Sequence, residues 1–249
     1  MTKNSKKRFG LLGRNISYSF SKGHFTTKFE KEKLQNYTYE NFDIQEISAF
    51  PEIIKNTDHL SGLNVTIPYK EDVIPYLDKL SKKAKKIGAV NTIKFTKKGK
   101  LKGYNTDYFG FLKSLEPLLK PHHKKALILG TGGASKGVAF ALEELGIEYL
   151  FVSRKASEKA IDYSQINTET FKEYQIIINS TPIGTSPNIE ACPEIPYELF
   201  TDKHIAYDLI YNPAETQFLK NAKARGAQIK NGLDMLIFQA EKAWEIWNK

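Results

Sequence analysis

The sequence predicts an α/β protein with two domains. Short apolar runs of strand length alternate with helical patterns along the chain, which is the order that parallel sheets require. The 249 residues are enough for two modest domains, and 41% of them are hydrophobic, so each domain can bury a core. Near the middle of the chain, an apolar run passes through a glycine-rich turn into a helical pattern, which is typical of a Rossmann-like nucleotide-binding domain.

The first half of the chain predicts an α/β domain with a mostly parallel sheet. Three segments with strand patterns come first, at residues 8–12, 37–42 and 60–67. Pro68 ends the third strand because proline cannot donate to a sheet ladder. Helices are predicted in a segment that carries Phe25 and Phe29 and at residues 47–54, 70–77 and 79–88. A hairpin then follows, with strands at 90–95 and 101–104 and a turn at 97–100.

The second half predicts repeated βα units. Apolar strands are expected at residues 126–129, 148–152, 174–179, 204–210 and 228–230. Helical patterns alternate with them, at about 106–118, 138–145, 216–225 and 233–248. The last of these helices places Ala240, Trp244 and Trp247 on one stripe, so we expect that stripe to pack on a core.

The glycine-rich turn after the apolar run predicts a phosphate-binding site. A tight turn at a helix N-terminus aims backbone N–H groups and the positive end of the helix dipole at a bound phosphate. The usual pattern is G-x-G-x-x-G. Gly130 and Gly132 match it, whereas Ser135 stands at the third position and glycine is displaced to Gly133 and Gly137. A strand-to-helix turn without a ligand is the alternative interpretation.

The end of the next predicted strand indicates which dinucleotide would bind. In an NAD site, an acidic residue about 20 positions beyond the glycines binds the ribose hydroxyls. Here Ser153 is followed by Arg154 and Lys155. An acid would repel a 2′-phosphate, whereas Arg154 can bind one through two N–H groups, so the sequence favours NADP over NAD. A solvated charge pair at a strand end is the alternative.

Polar side chains suited to proton transfer follow two predicted strands of the first half. Asn64 and Thr66 alternate onto one side of a strand, and Lys70 follows Pro68. Asp107 comes after an amide and a hydroxyl side chain at the end of another strand. An amine paired with a carboxylate can perform acid/base catalysis on a hydroxylated substrate. Taken singly, Asp107 is more simply a helix N-cap and Lys70 a surface lysine.

Composition and charge narrow the class of protein. The net charge of +9 is concentrated in residues 1–125, which hold 25 Lys/Arg against 12 Asp/Glu. These basic residues lie mostly in helical and loop segments without interleaved aromatic residues. A solvated face that attracts a small anionic substrate is therefore favoured over nucleic-acid binding. No apolar run reaches the roughly 18 residues of a membrane span, and no signal peptide is evident. With Cys192 as the single cysteine, we expect a cytoplasmic protein, and both a monomer and a homodimer remain open.

Seven motifs in order, from the first strand to the last helix, resemble those of the shikimate dehydrogenase family. They lie at residues 13–21, 61–70, 88–92, 103–107, 130–137, 207–213 and 232–239. The resemblance implies NADP-dependent, reversible reduction of 3-dehydroshikimate to shikimate in aromatic amino-acid biosynthesis. It also implies a substrate domain at 1–107, on which the C-terminal helix 234–249 packs back, and a Rossmann-like NADP-binding domain at 108–233, with a cleft between them.

The resemblance also implies roles for individual residues. Lys70 and Asp107 would form the catalytic acid/base pair. Ser19 and Ser21 would hold the substrate carboxylate. The residues implied around the ring and its hydroxyls are Asn64, Thr66, Asn91, Asp107, Tyr211 and Gln239. The residues implied to line the cofactor site are Gly130, Thr131, Gly132, Gly133, Ala134, Ser153, Arg154, Lys155, Leu209 and Gly232. No metal site is expected.

The chain departs from the family pattern in three places. Asn15 stands in the loop before Ser19 where proline is usual. Ser153-Arg154-Lys155 replaces the usual Asn-Arg-Thr. Residues 179–185 read Asn-Ser-Thr-Pro-Ile-Gly-Thr in place of Asn-Ala-Thr-Ser-x-Gly-Met, in a wall expected near the nicotinamide.

Two other functions are weighed against this one. An NAD-dependent quinate/shikimate dehydrogenase would favour an acidic residue after the second cofactor strand, which Ser153 and its neighbours do not offer. A non-catalytic protein, either a cofactor-binding sensor or a basic nucleic-acid binder, would have no need of Lys70 together with Asp107.

Overall fold

The chain divides into two compact units. A computed structural model describes residues 6–17 and 19–249. One unit comprises the residues up to Thr106 together with Ala240–Lys249, and the other comprises Asp107–Gln239. The first unit is therefore built from two segments that are far apart in sequence.

The first unit contains a mixed sheet of six described strands. They are β1 (Lys7–Gly13), β2 (Tyr37–Asp43), β3 (Leu60–Val65), β4 (Lys79–Leu80), β5 (Thr92–Phe95) and β6 (Leu101–Tyr104), in the order β2-β1-β3-β5-β6-β4. β1 pairs in parallel with β2 and β3, and β4 pairs in parallel with β6. β5 is antiparallel to β3 and β6, as the predicted hairpin requires.

Aromatic side chains dominate one core of this unit. Its helices are α1 (Phe20–Lys31), α2 (Phe50–Asn56) and α3 (Lys82–Ile87), and the last helix of the chain, Leu233–Asn248, ends in it. On that helix, Trp247 packs against Phe9 and Phe25. A Cβ on Gly62 would collide with the indole, so glycine makes room for the ring. Because Trp247 Nε1 donates to the carbonyl of Ile93 at 3.0 Å, the indole is held by a polar contact as well as by packing.

The prediction of a helix at residues 70–77 is wrong. The segment consists of turns, with a short 3₁₀ helix at Ile74–Tyr76. Pro75 removes one helical donor, and within the segment Val73 alone is buried, which does not make a helical stripe. The following helix is shorter than predicted. The Ser81 side chain accepts from the N–H of Ala84 at its start, and left-handed Gly88 ends it.

The second unit contains a sheet in which every pairing between the described strands is parallel. Its strands are β7 (Lys125–Leu129), β8 (Glu148–Ser153), β9 (Ala160–Asp162), β10 (Ile176–Asn179), β11 (Ile205–Asp208) and β12 (Gln228–Lys230), in the order β12-β11-β10-β7-β8-β9. The order reverses between β7 and β10. This is the Rossmann arrangement, in which ligands bind beyond the carboxyl ends of the strands at the point of reversal. The predicted Rossmann-like fold is confirmed.

Helices cover this sheet, and among the short elements that were not predicted are a strand and a helix. The helices are α4 (Asp107–Leu115), α5 (Gly133–Glu144), α6 (Thr168–Glu173), α7 (Gln217–Lys223) and α8 (Leu233–Asn248). Strand β9 and helix α6 span three and six residues, which is too short to produce a periodic pattern. The signal that the sequence did offer for α6 is Asn167, a residue type typical of an N-cap, whose side chain accepts from the N–H of Thr170. Among the described residues, every helix is too short or too polar to cross a membrane.

Candidate active site

The glycine turn lies at the carboxyl end of β7, where the strand order of the second sheet reverses. Gly130 has a φ of +100°, which a residue with a side chain rarely adopts. A Cβ on Gly130 would also lie 2.9 Å from Cγ2 of Thr181. The N–H of Gly130 donates to the carbonyl of Val152 at 2.8 Å, so the turn is tied to the end of β8. Glycine is thus needed here for both conformation and space.

The turn leads into α5 in a form that suits an anion. Gly132 is the N-cap, Gly133 and Ala134 begin the helix, and Thr131 is exposed. Apart from its chain neighbours, no described atom lies within 4 Å of the position that a Cβ on Gly132 would take. Ser135 is 1% exposed, and its hydroxyl donates to the Gly132 carbonyl at 2.6 Å. The N–H of Ser135 donates to the same carbonyl at 3.0 Å, so the donors that the start of α5 can offer to a phosphate are the N–H groups of Gly133 and Ala134.

The cationic pair follows the strand next to this turn. β8 pairs with β7 and ends at Ser153, and the exposed Arg154 and Lys155 come directly after it. The Ser153 hydroxyl donates to the Lys155 carbonyl, which curls the segment locally. The exposed guanidinium of Arg154, at the end of the strand next to β7, has N–H donors suited to a phosphate.

A buried carboxylate that the sequence reasoning missed joins the segments after β10 and β11. Asp208 is 0% exposed and accepts from Asn179 Nδ2 at 3.1 Å, the N–H of Ile210 at 3.0 Å and the Thr216 hydroxyl at 2.6 Å. Burial raises the pKa of Asp208 to about 6, although these three donors lower it. Asp208 therefore fixes the segment that carries the predicted cofactor residue Leu209.

Leu209 and Gly232 are brought together at the same edge of the sheet. The N–H of Leu209 donates to the carbonyl of Asn179, and the N–H of Gly232 donates to the carbonyl of Ile210, both at 3.0 Å. A Cβ on Gly232 would collide with the Leu209 carbonyl, so the close approach requires glycine. Tyr211 is half-buried in the same segment.

The altered segment after β10 is held by its own hydroxyls. The Ser180 hydroxyl donates to the Leu129 carbonyl at 2.7 Å, next to the glycine turn. The Thr181 hydroxyl donates to Asn179 Oδ1 at 2.6 Å. Thus Ser180, which replaces the usual alanine, and the unchanged Thr181 both make ordered contacts at the edge where the glycine turn lies.

In the first unit, buried polar side chains of neighbouring strands form one hydrogen-bonded network. Asn64 on β3 is 4% exposed and accepts from the Tyr39 hydroxyl at 2.8 Å. The Asn64 amide donates to the Asn91 carbonyl and to the Thr92 hydroxyl, both at 3.2 Å. The Ser21 side chain hydrogen-bonds the Tyr39 hydroxyl in turn, and burial raises the pKa of Tyr39. The structure therefore connects three predicted residues through Tyr39, which was not predicted.

Lys70 is placed beside this network through the backbone. Its carbonyl accepts from the N–H of Val90 at 2.7 Å, one residue before Asn91. Lys70 follows Tyr69, which is 1% exposed and donates from its hydroxyl to a backbone carbonyl at 2.8 Å. Thr66 and Lys70 are both half-buried, and the Thr66 carbonyl accepts from the N–H of Tyr69 at 2.9 Å. The backbone of Lys70 is thus held in place by its own bond to Val90 and by the buried side chain of the preceding Tyr69.

The two loop serines lie at the start of α1. Ser19 is the N-cap, and its hydroxyl accepts from the N–H of Ser21 at 3.2 Å. Ser21 is buried, and Ser19 is half-buried. Tyr18, which belongs to the motif of the resemblance, lies outside the described residues.

Asp107 and Gln239 lie on two helices of the second unit that approach closely. Asp107 begins α4 and Gln239 lies on α8, and each is 7% exposed. Gly110 is one turn after Asp107, and a Cβ on it would lie 3.1 Å from Cβ of Gln239 and collide with the Met235 carbonyl. Glycine therefore lets α8 bring Gln239 against the first turn of α4. Within the described residues there is no cluster of three or more His, Cys, Asp or Glu side chains suited to a metal ion.

Fold and side chains together define an α/β protein whose second unit is a nucleotide-binding Rossmann unit and whose first unit carries a buried network of amide and hydroxyl groups. Comparison with known proteins shows which family has this combination of units. The sequence model of the shikimate dehydrogenase substrate binding domain matches residues 11–93. Shikimate dehydrogenase (NADP(+)) of Desulforamulus reducens is 36% identical to the chain, over 96% of this chain and 88% of the relative.

Solved structures show the same likeness. The crystal structure of shikimate dehydrogenase from Aquifex aeolicus superposes with a TM-score of 0.87 at 34% identity, covering 100% of this chain and 94% of that one. Shikimate 5-dehydrogenase from Thermus thermophilus, in complex with NADP(H) and shikimate, superposes with a TM-score of 0.85 at 35% identity, covering 97% of this chain and 93% of that one. The chain belongs to the shikimate dehydrogenase family.

Proposed function

We propose that this protein catalyses the NADP-dependent, reversible reduction of 3-dehydroshikimate to shikimate for aromatic amino-acid biosynthesis. The observation that carries the proposal is its similarity, over nearly the full length of both chains, to an enzyme named for this activity. A solved relative that contains NADP(H) and shikimate supports the same pair of ligands. Action in the cytoplasm is part of the proposal, and it rests on the sequence alone.

The second unit has the features that NADP binding requires. The backbone at Gly132 is open where a Cβ would stand, and the α5 N-terminus follows it directly. Arg154 and Lys155 are exposed at the end of the adjacent strand, where the 2′-phosphate would be bound by a guanidinium and an ammonium group. When bound, the nicotinamide supplies or accepts the hydride. Leu209 and Gly232 would line its site from the carboxyl edge of the sheet.

Lys70 and Asp107 are proposed as the acid/base pair. In the direction of reduction, the Lys70 ammonium donates its proton to the carbonyl oxygen of 3-dehydroshikimate as that oxygen gains negative charge. In the direction of oxidation, the Lys70 amine takes the proton from the hydroxyl. The Asp107 carboxylate would accept a hydrogen bond from the reacting hydroxyl.

The remaining predicted residues would orient the substrate. Ser19 and Ser21 would hold the carboxylate through the two hydroxyls at the start of α1. The side chains proposed around the ring and its hydroxyls are Asn64, Thr66, Asn91, Tyr211 and Gln239. Asn64 and Asn91 are supported in this role by the buried network that fixes their orientation before any substrate binds.

A matrix of two cofactors and two substrates tests the proposal. The purified protein is mixed with NADP⁺ or NAD⁺ and with shikimate or quinate, and the absorbance of the reduced cofactor is followed. The expected result is rapid reduction with NADP⁺ and shikimate. Absence of any reduction with shikimate would refute the proposal, and preference for NAD⁺ with quinate would establish the alternative enzyme.

Two variants assign the roles. Lys70→Ala should lose turnover while retaining shikimate binding measured by calorimetry, with Lys55→Ala, an exposed lysine on α2, as the matched control. Arg154→Ala should raise the KM for NADP⁺ at least tenfold and leave the KM for NAD⁺ unchanged, because only NADP⁺ carries the 2′-phosphate. A fully active Lys70→Ala enzyme would remove Lys70 from the mechanism.

A further inference from the structure

The carboxylate of Asp43, at the end of β2, holds the loop that follows β1 through two hydrogen bonds, which together are called the clamp. Oδ1 of Asp43 accepts from the N–H of Asn15 at 2.9 Å, and Oδ2 accepts from the N–H of Ile16 at 3.0 Å. One side chain thus satisfies two successive backbone donors. Bonds from N–H groups to a carboxylate are stronger than those between neutral groups, because the acceptor carries the charge.

The backbone of this loop is shaped to receive that carboxylate. Asn15 has a φ of +55°, in the left-handed region that asparagine tolerates better than most residues. A left-handed residue next to a right-handed or extended one turns successive N–H groups towards the same point, which forms a small anion-binding concavity. Proline at position 15 would have neither the N–H nor the φ that the clamp uses.

Ile16 connects the hydrogen bonds of Asp43 to Ser19. Its side chain is 4% exposed in the aromatic core, and its carbonyl accepts from Asn41 Nδ2 at 3.0 Å. The same carbonyl accepts from the N–H of Ser19 at 3.0 Å. Ile16 is therefore held by Asp43 through its N–H and is bonded through its carbonyl to the residue that caps α1.

We propose that Asp43 is a positioning residue that holds Ser19 and Ser21 ready to bind the carboxylate of the substrate. This inference rests on the proposed function, which assigns that role to the two serines. Asp43 is exposed, and both of its carboxylate oxygens accept from backbone N–H groups, so it acts on the serines through Asn15 and Ile16. A substrate carboxylate then meets donors whose geometry is already fixed, so that less ordering accompanies binding.

Steady-state kinetics of Asp43→Asn test the inference. The amide keeps one acceptor oxygen but turns an N–H₂ group towards the second backbone N–H, so the clamp is half lost at constant size. The KM for shikimate should rise about tenfold, while kcat and the KM for NADP⁺ stay within about twofold of wild type. The matched control is Asp58→Asn, an exposed aspartate of the same unit away from this loop, which should leave all three constants unchanged.

Amide hydrogen exchange supplies a readout that does not depend on activity. The N–H groups of Asn15 and Ile16 should exchange at least tenfold faster in Asp43→Asn than in the wild type, and addition of shikimate should restore part of the protection. Unchanged exchange would refute the clamp. Faster exchange with an unchanged KM for shikimate would refute its link to the serines, and equal loss for both ligands with a lowered Tm would identify a merely structural role.

The outcome separates the inference from the proposed function. A wild-type protein that fails to oxidise shikimate refutes the function itself. A wild-type protein that oxidises shikimate, together with an Asp43→Asn variant of identical KM, refutes the positioning role alone.

Discussion

Replacing Asp208 by asparagine removes a buried negative charge and retains the shape of the side chain. Oδ1 of the amide can accept from Asn179 and Ile210 as the carboxylate does. The new Nδ2 replaces the oxygen that faces Thr216, and the Thr216 hydroxyl can reverse from donor to acceptor. The substitution therefore preserves the three contacts and changes mainly the charge.

The expected effect on stability depends on pH. Asp208 has a pKa of about 6 in the folded chain, against an ordinary value of 3.8. Between these values the folded chain binds a proton that the unfolded chain has lost, so the free energy of unfolding falls as the pH rises. The contribution is fully present below 3.8 and lost as the pH rises through about 6. At ~1.4 kcal/mol for each pH unit, the loss is about 3 kcal/mol.

Urea unfolding of wild type and Asp208→Asn across this pH range measures the effect. The buried histidines His123 and His204, whose pKa values burial lowers, contribute equally to both proteins and cancel in the difference. The variant should gain about 3 kcal/mol relative to wild type between roughly pH 4 and pH 7. Thr216→Val removes a donor that lowers the pKa of Asp208, so it should move the midpoint of the wild-type change upwards. A difference that is constant with pH would refute the reasoning.

Three further substitutions test contacts of the fold. Gly130→Ala places a Cβ against Thr181 at a positive φ and should lower the free energy of unfolding by about 2 kcal/mol in urea. The KM for NADP⁺ should rise, and an unchanged KM would contradict a close approach of the cofactor to this turn. Trp247→Phe removes the indole N–H that donates to the Ile93 carbonyl and should lower the free energy of unfolding by about 2 to 3 kcal/mol in thermal unfolding. A cost below about 1 kcal/mol would mean that the indole N–H contributes little. Lys28→Met removes a cation that pairs with two glutamates and should cost about 1 kcal/mol at low salt, and less in about 1 M NaCl; a salt-independent cost would assign the effect to packing.

The sequence predicted the features whose signal is local. The glycine turn was placed correctly because strand, glycines and helix are contiguous, and the hairpin followed from a turn between two short strands. The helix predicted at residues 70–77 failed because Pro75 removes a helical donor and because the buried side chains of Tyr69 and Val73 hold the segment as turns.

The features that were missed depend on partners distant in sequence. Asp208 owes its role to Asn179, which precedes it by 29 residues, and Tyr39 owes its role to Asn64, which follows by 25. Such pairs become neighbours only through the register of strands, which no local pattern reveals. The roles assigned to Lys70 and the other predicted site residues stay predictions, because they depend on ligands bound to the protein.

The ending of α8 in the first unit has a consequence for how the chain is made. Trp247 fills the space over Gly62 and bonds to a carbonyl 154 residues earlier. A ribosome therefore completes all of Asp107–Gln239 before it releases the residues that close the aromatic core of the first unit. The N-terminal strands must wait with that face uncovered. In this chain the segment made first is finished last, and the exposed face during that interval is where aggregation or a chaperone would compete with folding.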